Sequence, residues 1–332
     1  MRARPTATAR SPTPCTPCSA PEPRVVAATN AARATSPSRR CKNGSRYKPT
    51  LDARKARRDA VPVSGICFLT GASGFVGANL APLLAQRYRL RCLVRPGQQV
   101  PALDGIPHER VEGTLDEDHA LAVGVRGAEV VVHLAALVSF RPEDRAAMFR
   151  LHEGATAQLA AFARRAAVRR FLHMSTICAV GFRATPDQLD ESAIYNFAPL
   201  RIGYCDSKHA AERAVLAEAA RGLDAVVVNP PSMYGAGDRR KADGSLMEAL
   251  LRGRIKIAPP GGINVANVLD VCRGCLLALD RGRSGERYIL GGENLTGREL
   301  FARIATVVGG RAPRLGTDRK STRLNSSHLV IS

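Results

Sequence analysis

The 332-residue sequence predicts an α/β fold, a doubly wound parallel sheet followed by a smaller C-terminal region. Short apolar runs alternate with amphipathic stretches from Ile66 to about residue 234, at the spacing of strand–helix–strand units. A glycine-rich stretch, "TGASGFVG", closes the first apolar run and opens the first amphipathic one. A later run, "AEVVVHLAAL", is apolar almost throughout, as a strand must be when both faces of its sheet are covered.

Taken in order, "GICFLTGASGFVGANLAPLLAQ" supplies a strand, a turn and a helix, and "RLRCLVR" a second strand. "PHERVEGTL" holds the third strand and "DEDHALAVGVRG" the helix after it. The fourth strand is "AEVVVHLAAL", and "AAMFRLHEGATAQLAAFARRA" is a long helix with one apolar side. "RRFLHMST" is the fifth strand, "YCDSKHAAERAVLAEAARG" a helix closing on Gly222, and "LDAVVVNPPSMYG" a sixth strand running into a proline-rich loop. Right-handed crossovers follow from this alternation, and ligands of such sheets bind beyond the carboxyl ends of the strands. Residues 63–234 are therefore expected to form the dinucleotide-binding type of domain known as the Rossmann fold. From Gly235 the pattern loosens: helices near "GSLMEALLRG", "NVLDVCRGCLLALDRG" and "TGRELFARIATVVG", with a strand at "ERYIL". Residues 235–317 are expected to be a substrate-binding region over one edge of the sheet, incomplete at its C-terminal end.

The formal net charge of +20 suggests a polyanion partner until it is located. Residues 1–62 carry 14 Lys/Arg against 3 Asp/Glu, and residues 318–332 a further net +2, leaving only +7 for the body. Charge therefore gives no indication of nucleic-acid binding. Residues 1–62 are rich in Pro, Ala, Arg, Ser and Thr without hydrophobic periodicity, and are expected to be disordered and to reflect a start placed too far upstream. The tail "DRKSTRLNSSHLVIS" back-translates to a string resembling a widely used short-read sequencing adapter, so residues 318–332 are expected to be adapter read-through. No run of eighteen apolar residues predicts a membrane span, and no signal peptide is evident. Cys272 and Cys275 share a face of an apolar helical pattern, far from Cys15 and Cys18, so no metal site is expected. Reduced buried thiols fit a cytoplasmic protein.

Three stretches carry chemistry. Gly71, Gly74 and Gly77 fit a turn whose backbone N–H groups meet a pyrophosphate at a helix N-terminus. At the end of the second strand, where an acidic residue would hold ribose hydroxyls, stands Arg95, whose guanidinium would pair with a 2′-phosphate. NADP(H) is accordingly favoured, with NAD(H) as the alternative. Ser175 and Thr176 end the fifth strand, and Tyr204 and Lys208 lie four apart on one face of the next helix. A phenol with a pKa near ~10 is a poor acid or base at neutral pH, and an adjacent ammonium draws it toward the working range. Thr176 can then hydrogen-bond the substrate oxygen. Alone, a Tyr-x-x-x-Lys pair would be helix surface; with the glycine turn upstream and a hydroxyl at a strand end it is a catalytic candidate.

With these motifs in that order, the stretch from Ile66 to Pro313 resembles the extended short-chain dehydrogenases/reductases, in the NAD(P)-dependent epimerase/dehydratase superfamily. "LVRPG", "HLAALVSF" and "GERYILGGENLT" are most similar to the branch that includes dihydroflavonol-4-reductase-like proteins and hopanoid-associated sugar epimerase homologues. The resemblance implies that Thr176, Tyr204 and Lys208 are the catalytic set. It implies Gly71, Gly74, Phe75 and Val76 at the pyrophosphate and Leu134, Ala135 and Ala136 along the nicotinamide. It also implies Lys208 at the nicotinamide ribose, with Asn229, Pro230 and Ser232 near the carboxamide. Three positions depart from the pattern. Thr114 stands where an Asp often contacts adenine, and His152 where an Asn supports the proton relay. Ile177 and Cys178 follow Thr176 where dehydratases carry Asp-Glu.

Reduction of a ketone or oxidation of a secondary alcohol is the expected activity, on a small-molecule substrate. The alternatives are a sugar or sugar-nucleotide epimerase, in which hydride leaves and returns, and a non-catalytic dinucleotide-sensing regulator. A homodimer is the assembly to test.

Overall fold

The computed structural model describes residues 65–183, 188–238, 246–313 and 315–316. The segment 1–62, most of the basic loop "GAGDRRKADGS" and the tail 318–332 lie outside them.

Strand β1 (Ile66–Thr70) leads through the glycine turn into α1 (Phe75–Leu84), and β2 (Arg89–Val94) returns beside it. β3 (His108–Glu112), α2 (Asp118–Val125) and β4 (Val130–His133) follow. One unbroken helical run then holds α3 (Arg145–Phe149), a π-helical segment Arg150–Ala155 and α4 (Thr156–Arg165). β5 (Arg170–Met174), α5 (Gly203–Ala220) and β6 (Ala225–Asn229) close the series.

Beyond them come β7 (Ser232–Tyr234), α6 (Leu246–Leu251), β8 (Ile257–Ala258) and β9 (Gly262–Asn267). The last described elements are α7 (Val268–Arg281), β10 (Arg287–Ile289), β11 (Glu293–Thr296), α8 (Gly297–Val308) and β12 (Leu315–Gly316).

Seven strands make one sheet in the order β3-β2-β1-β4-β5-β6-β10, and every neighbouring pair is parallel. The order reverses between β1 and β4, and the crevice opened there is where such sheets bind dinucleotides. Apolar side chains fill both faces. Leu80 and Leu84 of α1 pack with Val271, Cys272 and Cys275 of α7 on one side. Leu121 of α2, Leu159 of α4 and Val215 of α5 cover Phe68 and Phe171 on the other. Burying each such side chain contributes about 1.5–3 kcal/mol.

Two elements of the segment assigned above to a substrate-binding region, α7 and β10, lie on this large sheet. Cys272 and Cys275 lie with Val268, Val271, Ala278 and Leu279 on the apolar side of α7, which buries against the sheet, and both thiols are free. The remaining C-terminal elements form a three-stranded sheet, β11-β9-β7, and a small core of their own around Leu250, Leu295, Phe301 and Ile304. A capping box between Thr296 and Glu299 starts α8, satisfying donors that the first turn cannot pair internally. Among the described residues no helix is long and apolar enough to cross a membrane.

Candidate active site

The glycine turn is built so that only glycine fits it. Gly71 adopts φ +79°, and a Cβ there would stand 2.6 Å from the Ala135 amide nitrogen. A Cβ on Gly77 would stand 2.2 Å from the Gly71 carbonyl oxygen. The turn closes with Gly74 N–H donating to Gly71 O at 3.0 Å, and Gly74 caps α1 with no side-chain bond to its first N–H groups. Those unpaired donors at a helix N-terminus, reachable past residues without side chains, fit a pyrophosphate.

Across the switch point, the end of β4 is tied to the end of β1. Leu134 N–H donates to Thr70 O at 3.2 Å, and Ala135 N–H to Thr70 Oγ1 at 3.3 Å. Leu134, Ala135 and Ala136 form the cleft wall facing the glycine turn. Arg95 lies exposed at the end of β2, where its Nε donates to Gln98 Oε1 at 3.2 Å. Arg110 donates to the Gln98 backbone carbonyl at 3.0 Å, so two guanidinium groups border this corner. Thr114, two residues past β3, has its single hydroxyl proton within hydrogen-bonding reach of the Asp116 and Glu117 carboxylates.

The catalytic candidates meet on the other side of β4. Thr176 follows β5 in extended geometry, 8% exposed, and its carbonyl accepts from Asn229 Nδ2 at 2.9 Å. The neighbouring Ser175 Oγ is buried and has no protein partner among the described residues. Tyr204, in the first turn of α5, has the Phe140 ring edge-on at 5.6 Å and the His152 ring at 6.1 Å. One turn on, Lys208 is 2% exposed and its Nζ donates to Met174 O at 2.7 Å, tying the helix to the end of β5. Burial pushes the Lys208 ammonium down to about 8, with the Glu212 charge working the other way.

His152, left without a role by sequence reasoning, links two walls of this site. The Leu137 N–H donates to its Nε2 at 3.0 Å, which leaves Nδ1 to carry the proton and donate to Ser207 Oγ at 2.9 Å. Ser207 in turn donates to Tyr204 O at 3.1 Å. The loop after β4 and the first turn of α5 are thereby held in register. Burial and the Lys208 charge push the His152 imidazole down to about 3, so it stays neutral at every pH of interest. Its π-helical position inserts an extra residue into the helical ladder, a distortion frequent at functional sites.

Asn229 is fully buried and lies beneath the cleft, outside its lining. Its amide bridges Thr176 O and Glu212 Oε2, and Glu212 Oε1 accepts from Arg287 at 3.0 Å. This support layer of Asn229, Glu212 and Arg287 was not found from the sequence. The one signal was that Glu212 continues the Tyr204–Lys208 face by a further four residues.

One cleft of about 2690 Å³ takes in Gly71, Gly74, Phe75, Val76, Gly77, Arg95, Leu134, Ala135, Ala136, Thr176, Tyr204, Lys208, Pro230 and Ser232. Of the sequence-predicted residues, only Asn229 stands outside it. A glycine cradle at a helix N-terminus, an orphaned Ser175 hydroxyl and a buried lysine beside a tyrosine together define a nicotinamide-dinucleotide enzyme of the short-chain dehydrogenase/reductase class.

Comparison with known proteins places the chain more narrowly. Residues 67–291 match the NAD dependent epimerase/dehydratase family, and the chain belongs to it. It is 35% identical over 249 residues to sterol demethylase protein B of Methylococcus capsulatus, across 74% of this chain and 76% of that one. It is also 35% identical over 253 residues, 74% of each chain, to a Synechocystis protein provisionally named dihydroflavonol 4-reductase. The crystal structure of DesIV, the dTDP-glucose 4,6-dehydratase of Streptomyces venezuelae with NAD bound, superposes with a TM-score of 0.66 at 25% identity. That match covers 77% of this chain and 85% of DesIV. The chain is an NAD(P)-dependent enzyme of the extended short-chain dehydrogenase/reductase type, a group of reductases, dehydrogenases, epimerases and dehydratases.

Proposed function

We propose that the enzyme reduces an apolar ketone with NADPH, or oxidises the matching secondary alcohol, with Tyr204 as the acid/base. The observation that carries this reading is the fully buried Lys208 one helical turn from Tyr204, beside Thr176 at a strand end. Bound along Leu134–Ala136, the nicotinamide would supply or accept hydride. In the reductive direction Tyr204 Oη gives its proton to the substrate oxygen, which Thr176 Oγ1 holds. Lys208, protonated below about 8, stabilises the phenolate left behind and so lowers the cost of that transfer.

The apolar substrate is inferred from the rim. Val138, Phe140 and Phe182 are large hydrophobic side chains left 47%, 42% and 41% exposed at the cleft, with Val180 and Phe197 beneath them. Exposed apolar surface clustered at a site is what an apolar ligand covers. The sterol in the name of the Methylococcus relative has that character.

NADP is preferred over NAD in this reading because Arg95 and Arg110 border the end of β2 where a carboxylate would serve NAD.

A second reading, epimerisation of a sugar derivative, draws on Asn264, Asn294 and Glu299 at the far end of the cleft, which could hold hydroxyl groups. Dehydration is disfavoured, since Ile177 and Cys178 place no carboxylate after Thr176. NADPH consumption with hydrophobic ketones, set beside a panel of nucleotide sugars, separates the readings. Ketone-dependent net consumption is expected; interconversion of a sugar without net cofactor turnover would replace the first reading with the second.

A further inference from the structure

Residues 188–197 form no helix or strand, yet Gln188, Leu189 and Phe197 wall the cleft. Side chains hold this loop in place. The Asn196 amide donates to Phe182 O at 2.9 Å and its carbonyl accepts from the Phe182 N–H at 3.0 Å. Glu191 Oε1 accepts from the Ile289 N–H of β10 at 2.9 Å. The loop's main chain is gripped by Arg287, also of β10. Its Nε donates to Glu191 O at 2.8 Å and its Nη2 to Ala193 O at 2.5 Å. The third arm of the same guanidinium, Nη1, donates to Glu212 Oε1 at 3.0 Å. A planar fork with donors in fixed directions meets all three acceptors, whereas an ammonium on a flexible stem does not.

From Arg287 the contacts run unbroken to the candidate catalytic residues. Glu212 is 2% exposed, and its Oε2 accepts from Asn229 Nδ2 at 2.9 Å. The same Asn229 amide donates to Thr176 O at 2.9 Å. Glu212 is the ion-pair partner of Arg287, and losing either leaves the other charge buried and uncompensated. A displaced loop therefore pulls on the Arg287–Glu212 pair, and through Asn229 on Thr176. Arg287 itself stands outside the cleft lining. We propose that Arg287 is a positioning residue for the reaction, transmitting the seating of a long apolar substrate against the 188–197 loop to Thr176. This rests on Thr176 holding the substrate oxygen, as in the function proposed above.

Binding energy from remote parts of a substrate raises turnover only where it is passed to the reacting centre. A long ketone reaches Leu189 and Phe197 and gains from this route. A short one, filling only the space beside Tyr204, does not. The unaltered protein should therefore turn over the long ketone faster, and that advantage should depend on Arg287.

The test compares kcat for 2-decanone and 2-butanone in the full-length protein and in Arg287→Lys, with NADPH in excess. Arg287→Lys should cut kcat for 2-decanone by about 10–100-fold, the cost of a misplacement on the order of 1 Å, and that for 2-butanone far less. NADPH affinity, read by fluorescence titration, should be unchanged. Equal losses for the two ketones would make Arg287 a purely structural residue and overturn the proposal. If Arg287→Lys does not fold, the paired variant Arg287→Gln with Glu212→Gln, which leaves no unpaired buried charge, is read the same way. If the unaltered protein reduces neither ketone, the reductase reading fails by itself, and hydrogen exchange decides the coupling. The Ile177 and Ala179 N–H groups, bonded to Pro230 O and Thr176 O, should then exchange faster in the variant together with those of 189–197. Faster exchange in the loop alone, or in neither segment, would overturn the coupling.

Discussion

Around β1 and α1 the cleft is walled by backbone: Gly71, Gly74 and Gly77, and the main chain of Leu134–Ala136. Around β5 and α5 it is walled by buried side chains that hold one another. Lys208 bonds Met174 O, and the Leu137 amide bonds His152, which bonds Ser207. Asn229 bridges Thr176 and Glu212. In the proposed function the first wall receives a constant group through geometry that a Cβ on Gly71 or Gly77 would spoil. In the same reading the second sets protonation states, which takes low dielectric, neighbouring charge and fixed donors. The two halves should therefore fail differently when altered.

The largest effect is expected from Tyr204→Phe, which removes the proton and leaves the glycine cradle intact. Turnover should fall by about 10²–10⁴-fold, with NADPH affinity, read by fluorescence titration, nearly unchanged. Gly77→Ala should invert the pattern. Its Cβ must displace the Gly71 carbonyl, so NADPH affinity should drop by at least tenfold while Tyr204 and Lys208 stay in place. An NADPH affinity equal to the unaltered protein's would break the contrast between the two walls. Arg95→Asp should raise the KM for NADPH by about 10–100-fold, from the loss of a charge-assisted contact of about 1.5–3 kcal/mol, and leave that for NADH much less affected. Equal KM changes for both cofactors would remove the preference for NADP.

The smallest effect is the most informative about the second wall. Lys208 has a folded-state pKa of about 8 against an ordinary 10.5, so below pH 8 the fold carries a buried charge that the unfolded chain solvates freely. The unfolded state binds the extra proton between those values, so the stability of the unaltered protein should rise as pH climbs from 8 to 10.5. At pH 7 the penalty is about 3 kcal/mol. Lys208→Met should therefore raise Tm by several degrees while turnover falls. A lowered Tm would mean that the Met174 and Glu212 contacts outweigh the desolvation of the charge.

The residues that were legible before the structure share a property. Gly71 and Gly77 sit where only one residue type is sterically possible, and Tyr204 and Lys208 are spaced by the helix itself. His152, Ser207 and Arg287 were not legible, because the bonds that join His152 to Ser207 and Arg287 to Glu212 span 55 and 75 residues of sequence. Asn229, expected at the nicotinamide carboxamide, is fully buried, and its amide donates to Thr176 O and to Glu212 of α5.

Local chemistry was enough to determine the strand–helix alternation, the glycine cradle and the Tyr204/Lys208 face, each written in a span shorter than one supersecondary unit. Only the tertiary structure decided that α7 and β10 return to the large sheet, that β7, β9 and β11 form a second one, and that Asn229 joins Thr176 to Glu212. The physical reason is the same in each case. Apolar periodicity tells a helix which face to bury but not against what, and a buried polar group finds its partner only when separate strands have closed into one sheet.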